Sequence, residues 1–193
     1  MSKTRRGFTL IELLVVIAII AILAATIAPN AFRAIEKAKI ARAMQDAKAL
    51  RSAALSYYAD MGFWPPDVGR GCDPGLTQPL PHYPDQAAAC AGGVSGVIPL
   101  NWQTIVAANW DGPYIEKWPT STPWGGKYDW NYWPSGSSRY GVTVAPGCYV
   151  GIQRDYSDNN PIPTASEQRM VTEGFDADGA VNGEAQLLMV NLQ

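Results

Sequence analysis

Histidine is nearly absent from this 193-residue sequence: His82 stands alone, beside three cysteines, Cys72, Cys90 and Cys148. That leaves little material for a His-based metal centre or a Cys/His nucleophile. Charge is also scarce. Asp, Glu, Lys and Arg make up 17% of the chain, which is low for a soluble globule. None of it falls between residues 13 and 28. A plain cytosolic domain is therefore not the first reading. The formal net charge of −2 shows no overall basic character, so nucleic acid is not an expected partner. A Gly-rich phosphate loop and a zinc-ligand spacing are missing as well. His82 lies in a Pro-rich stretch and supports no Ser/His/Asp arrangement. Glycine and proline in turn are missing from residues 30–58, which removes the usual helix breakers from that stretch.

What is present concentrates at the N-terminus. Lys3, Arg5 and Arg6 precede an apolar run from Phe8 to Ala28, ended by Pro29. The run is about 20 residues long, enough for a helix to cross the hydrocarbon core of a bilayer. The basic flank would stay cytoplasmic and place the rest of the chain across the membrane. Glu12 breaks the run. A carboxylate in a bilayer helix costs about 2.5–3.5 kcal/mol at the centre, less near the end, and usually serves a function. A Glu reaching back to the headgroups is the bland alternative. A secretory signal peptide also fits loosely, with Ala24, Ala25 and Ala28 as small residues. Against it stand Glu12 and a helical pattern that continues past Pro29.

The segment Gly7-Phe8-Thr9-Leu10-Ile11-Glu12 resembles the type III signal sequence of the type IV pilin superfamily. That superfamily spans type IV pili, type II secretion pseudopili and competence pseudopili. The resemblance implies cleavage after Gly7 by a prepilin peptidase and N-methylation of Phe8. Physical chemistry gives the pattern a purpose. Cleavage creates a positive amine at Phe8, and an unpaired ammonium and an unpaired carboxylate are both costly among apolar helices. A filament in which Glu12 of one subunit meets the Phe8 amine of a neighbour removes both penalties and fixes axial register. Pro29 lacks an N–H and clashes with the preceding turn, so a kink or local melting of the helix is expected there.

Beyond Pro29 the pattern stays helical to about Tyr58. Ile40, Met44, Ala47, Leu50, Ala54 and Tyr57 recur at steps of three and four, an amphipathic stripe for packing on a head. Residues 30–51 carry six basic side chains (Arg33, Lys37, Lys39, Arg42, Lys48, Arg51) against Glu36 and Asp46, a net +4. Residues 52–193 carry six basic and fourteen acidic side chains, a net −8. Attraction between a basic neck and an acidic head of stacked subunits is one reading. Solvated faces and a neck drawn to anionic lipid are the other.

Gly62, Pro65 and Pro66 end the helix. Residues 65–99 read as a long ordered loop. Asn101–Asn109 reads as a short helix with Asn101 as a possible N-cap. Three antiparallel strands are expected at Lys127–Trp133, Arg139–Ala145 and Cys148–Arg154, a short helix at Thr164–Glu173 and a final strand at Ala185–Leu192. Tyr57-Tyr58-Ala59-Asp60-Met61-Gly62-Phe63-Trp64-Pro65 looks like the helix exit of major pseudopilins of type II secretion. So do Gly112–Pro119 and Pro123-Trp124-Gly125-Gly126-Lys127-Tyr128. Thr122 stands where that branch has an acidic residue before Pro-Trp-Gly.

The expected topology puts the head outside the cytoplasm, where disulfides persist. A Cys72–Cys90 bridge would close a loop and stabilise by about 3 kcal/mol in the chain-entropy model. Three cysteines allow three single bridges, and spacing alone does not choose. Asp176-Ala-Asp178-Gly179 places oxygen ligands at alternating positions, which suits calcium. An Asp-Gly turn with a structural role is the competing reading. Apart from that calcium, no cofactor is expected. Trp110, Trp118, Trp124, Trp130 and Trp133 cluster around the expected strands and read as packing residues.

Together these readings predict an α+β, pilin-like chain with a long N-terminal α-helix packed against a small antiparallel sheet. Its parts are a leader (1–7), a membrane and filament-core half (8–29), an amphipathic half (30–60) and a head (61–193). The expected function is structural, not enzymatic. The chain would be a homo-oligomeric filament subunit of a pilus or a secretion pseudopilus, held first in the inner membrane and then periplasmic or extracellular. The prepilin peptidase and an assembly platform are its expected partners. A minor pilin acting as a tip binding or initiation module is the alternative, and a single-pass membrane enzyme a more distant one.

Overall fold

In a computed structural model, the structure describes residues 8–80, 96–139, 142–153 and 161–192. The chain divides into two compact units, Met1–Ala38 and Lys39–Gln193.

Helix α1 spans Leu10–Met61 with Pro29 inside it. The local melting expected at Pro29 is not observed: residues on both sides remain helical. Proline removes one donor, and the neighbouring turns keep their own bonds, so a single loss does not break a helix of this length. Within the first unit the apolar side chains are open on every side of the helix. Leu10, Ile17 and Leu23 are 81%, 57% and 54% exposed. A helix that is apolar all round needs a surrounding that is not water.

Within the second unit, the stripe read from the sequence is the buried face of α1. Ile40, Ala43, Ala47, Leu50, Ala53, Ala54, Tyr57 and Met61 are buried, and Met44 packs partly against them. Small alanines alternate with Leu50 and Tyr57 along this buried face. The helix stops at Gly62, whose φ of +74° is left-handed. Its N–H donates to the Tyr58 carbonyl at 2.8 Å, and glycine carries no Cβ penalty in that conformation.

Strands β1 (Lys127–Trp133), β4 (Gly147–Gln153) and β5 (Ala185–Asn191) form one antiparallel sheet in the order β1-β4-β5. Tyr128, Trp130, Val150, Ile152 and Leu187 join the α1 stripe in a single core. The expected strand over Arg139–Ala145 is corrected. Arg139 falls in β2 (Ser137–Arg139) and Val142, Thr143 and Val144 form β3 (Val142–Val144), and among the described residues these two strands pair only with each other. β2 and β3 pair antiparallel, Ser137 with Val144 and Arg139 with Val142, so the two strands run back along each other. The third strand of the main sheet is β5.

Helix α2 covers Trp102–Asn109 and α3 covers Thr164–Thr172. Asn101 occupies the N-cap of α2 but makes no side-chain cap; its carbonyl takes the Thr104 and Ile105 amides instead. In the loop after α1, Asp73 is buried and its carboxylate accepts the Gly75, Leu76 and Thr77 amides. That gives the loop an internal scaffold in place of secondary structure.

Candidate assembly site

The N-terminal end of α1 is built by two residues. Thr9 is the last non-helical residue before Leu10. Its N–H donates to Glu12 Oε2 at 2.8 Å and its hydroxyl donates to the same oxygen at 2.7 Å. The Glu12 N–H returns a bond to Thr9 Oγ1 at 3.3 Å. This is a reciprocal capping box: the carboxylate and the hydroxyl satisfy donors that the first helical turn leaves orphaned. The negative charge also sits at the positive end of the helix dipole. The Thr-x-x-Glu spacing at residues 9–12 carries this signal, and the sequence reading did not use it. Glu12 therefore has a role inside its own chain in addition to any role between chains.

Among the described residues, the side chains flanking this cap are apolar and exposed. Phe8 is 78% and Ile11 69% open. By length and composition the helix is able to cross a membrane, with a window of mean hydropathy 3.0. Gly7, the expected cleavage residue, lies outside the described residues. Pro29 sits within α1, far along the chain from the cap.

The second unit holds its part of α1 through side-chain hydrogen bonds. Tyr128 of β1 donates its hydroxyl to Asp46 Oδ2 at 2.7 Å. Burial pushes the Tyr128 hydroxyl well above its ordinary pKa, and the Asp46 carboxylate adds to this. Tyr114 donates to Asp60 Oδ2 at 2.8 Å, and burial raises its pKa to about 12. Trp130 donates its indole N–H to the Pro65 carbonyl at 2.8 Å. Tyr57 makes edge-on contacts with Phe63 and Tyr114, at 5.8 and 5.7 Å between ring centroids. Such contacts are worth about 0.5–1.5 kcal/mol beyond burial. The tryptophans named from the sequence are packing residues here. Trp118, Trp130 and Trp133 are buried, and Trp110 and Trp124 pack against the core.

Cys72 is buried and disulfide-bonded. Cys148 is free and buried in β4, and burial raises its thiol pKa to about 12. Cys90 lies outside the described residues.

In the acidic turn before β5, one carboxylate oxygen of each aspartate accepts a backbone amide. Asp176 Oδ1 accepts the Gln186 N–H at 2.9 Å, and Asp178 Oδ1 accepts the Ala180 N–H at 2.7 Å. Glu167 of α3, which the sequence reading did not single out, accepts the amides of Asn182, Gly183 and Glu184. Burial raises the pKa of Glu167, and raises that of Asp176 to about 7. Asp176 Oδ2 is buried without a hydrogen-bond partner. Calcium takes 6–8 oxygen ligands, and no three metal-ligating side chains converge among the described residues. Asp176 and Asp178 do not fit a calcium cage in this arrangement; they fit a hydrogen-bonded turn.

Residues 2–28 match the family model described as the prokaryotic N-terminal methylation motif, and residues 34–75 match the one described as PilW, C-terminal. The type II secretion system core protein G of Pseudomonas aeruginosa is 32% identical over 128 residues, covering 66% of this chain and 74% of that protein. The fimbrial protein EcpC of Eikenella corrodens is 34% identical over 99 residues, covering 51% of this chain. The type IV major pilin protein PilE of Neisseria gonorrhoeae is 42% identical over 67 residues, covering 35% of this chain. The matches span 63% of the length of the Eikenella protein and 40% of the gonococcal one. No solved structure matches the chain at a significant level.

Proposed function

Because this chain belongs to the type IV pilin superfamily, we propose that it is the repeating subunit of a filament assembled through α1. That it is a structural subunit of the pilin and pseudopilin kind follows from its relatives. The finer steps are our reading. The precursor enters the inner membrane with Lys3, Arg5 and Arg6 on the cytoplasmic side. A prepilin peptidase cuts after Gly7, and the new Phe8 amine is methylated. Subunits then leave the bilayer for a bundle of α1 helices, driven by an assembly platform.

The observation that carries this reading is the exposure of the apolar run around a capped carboxylate. Leaving water and entering either lipid or a helix bundle is favourable for such a surface, by about 25 cal/mol per Å². Glu12 is the exception along the run, so its position selects among neighbours. A neighbour's Phe8 amine at Glu12 neutralises both charges where the dielectric is low. The match to core protein G extends over two thirds of the chain, which supports a secretion pseudopilus over a surface pilus.

The test is intact mass and N-terminal sequence of the protein recovered from sheared filaments. The expected result is a major species beginning at N-methyl-Phe8. A protein beginning after Ala28 would overturn the reading, because it would mean an ordinary signal peptide. A processed species that is scarce in filaments would point to a tip or initiation subunit.

A further inference from the structure

We propose that Lys48 and Arg51 on α1 of one copy dock against Asp60 and Asp111 on a neighbouring copy. The proposal rests on the filament reading and names a contact between heads that the Glu12 contact does not supply.

Ion pairs form among the described residues of the second unit. Arg42 pairs with Asp46, four residues on, and Asp46 also takes the Tyr128 hydroxyl. Arg169 pairs with Glu173. Lys48 and Arg51 are different. Both are exposed, and among the described residues neither forms an ion pair. They sit three residues apart on one helix face, with exposed Leu55 one turn beyond Arg51.

The acidic counterpart is gathered by Tyr114. Its hydroxyl donates to Asp60 Oδ2 at 2.8 Å and accepts the Asp111 N–H at 3.3 Å. Asp60 is thereby held by its carboxylate and Asp111 by its backbone amide at one hydroxyl, both acidic side chains are exposed and close enough to act on Tyr114 electrostatically, and no cation of the same chain pairs with either among the described residues. Two acidic side chains near one hydroxyl, with no cation of their own, favour a cation brought from outside.

The geometry of α1 places the two patches on opposite flanks. Asp60 follows Arg51 by nine residues, which is about two and a half turns and ~14 Å of axial rise. The face between them, with Leu50, Ala54 and Tyr57, is packed into the core. A basic flank and an acidic flank on opposite sides cannot pair within one chain. They meet when a second copy is displaced along the axis. Contact between two different patches is heterologous, so it repeats without closing and suits a helical filament. An exposed ion pair is weak singly, but in a filament it recurs at every subunit. A lipid surface suits Lys48 and Arg51 less well than it suits Arg33 or Lys37, because they come twenty residues after the apolar run ends.

The experiment reverses the charges in the full-length chain, in cells with its own assembly machinery. Lys48→Glu with Arg51→Glu, and separately Asp60→Lys with Asp111→Lys, are expected to lose most sheared filament while processed protein accumulates in the membrane. Combining all four is expected to restore filaments. Arg51→Glu with Asp111→Lys, which leaves the Tyr114–Asp60 bond intact, provides the same rescue test with less risk to folding. Wild-type yield from either reversal, or failure of both combinations to rescue, would overturn the contact while leaving the filament reading standing. Normal filaments with lost binding of the Lys48/Arg51 variant to anionic phospholipid vesicles would also overturn it, in favour of a membrane role. Absence of filaments from the wild type would bring down the filament reading itself.

Discussion

Tyr128 and Asp46, 82 residues apart in sequence, share a 2.7 Å hydrogen bond that ties the first strand to the long helix. Removing the donor leaves a partly buried carboxylate short of a partner. Tyr128→Phe is expected to destabilise the folded chain by about 1–3 kcal/mol. Thermal unfolding of the full-length protein in detergent checks this. An unchanged midpoint would mean that water replaces the hydroxyl at no cost.

Leu50 and Leu55 lie on the same helix with opposite fates: the first is fully buried and the second is 46% exposed. Leu50→Ala is expected to cost about 2–5 kcal/mol, the sum of lost burial and a residual cavity. Leu55→Ala should fall within about 0.5 kcal/mol. Denaturant midpoints of the two variants give the comparison, and equal losses would contradict the packing described here.

Asp176 gives the head a pH dependence of known sign. Burial raises its folded pKa from 3.8 to about 7, so the folded state holds the proton more tightly than the unfolded chain. The stability this contributes is complete below the unfolded pKa and is lost as pH rises through about 7. The Glu167 shift acts in the same direction. Unfolding midpoints should therefore fall across that window, and Asp176→Asn should flatten the fall. A midpoint that climbs with pH would contradict the assignment, and a large rise on adding calcium would revive the metal reading.

Cys148 is buried in the central strand, and its pKa is raised to about 12. Only a thiolate attacks alkylating reagents readily. Peptide mapping after iodoacetamide treatment should find Cys148 unmodified in the native protein and modified after unfolding. Rapid native labelling would mean that the β1-β4-β5 sheet opens.

Much of this architecture was legible because it depends on local periodicity. The stripe through Ala47, Leu50 and Tyr57 has period 3.6, and Lys127–Trp133 is aromatic and turn-bounded; both match α1 and β1. What depended on distant partners was not legible. Ser137–Val144 is β-rich by composition, yet whether it joins the main sheet or pairs with itself is decided by neighbours elsewhere in the chain. Glu167 looks like a surface helix residue until the fold brings the 182–184 amides to it. The Thr9–Glu12 cap is a different case: its signature is local, in the Thr-x-x-Glu spacing, and it coincides with a charge that also stands out against the apolar run. At Pro29 the helix stays continuous, since it is long enough to absorb one missing bond.

Whether Glu12 organises assembly of the mature chain is read from the filament yield of Glu12→Ala cells. The account predicts normal cleavage after Gly7, normal accumulation in the membrane and little or no sheared filament. Glu12→Leu should behave the same way, because restoring apolar surface leaves the Phe8 amine of the neighbour unpaired. Wild-type filament yield from Glu12→Ala would contradict the account.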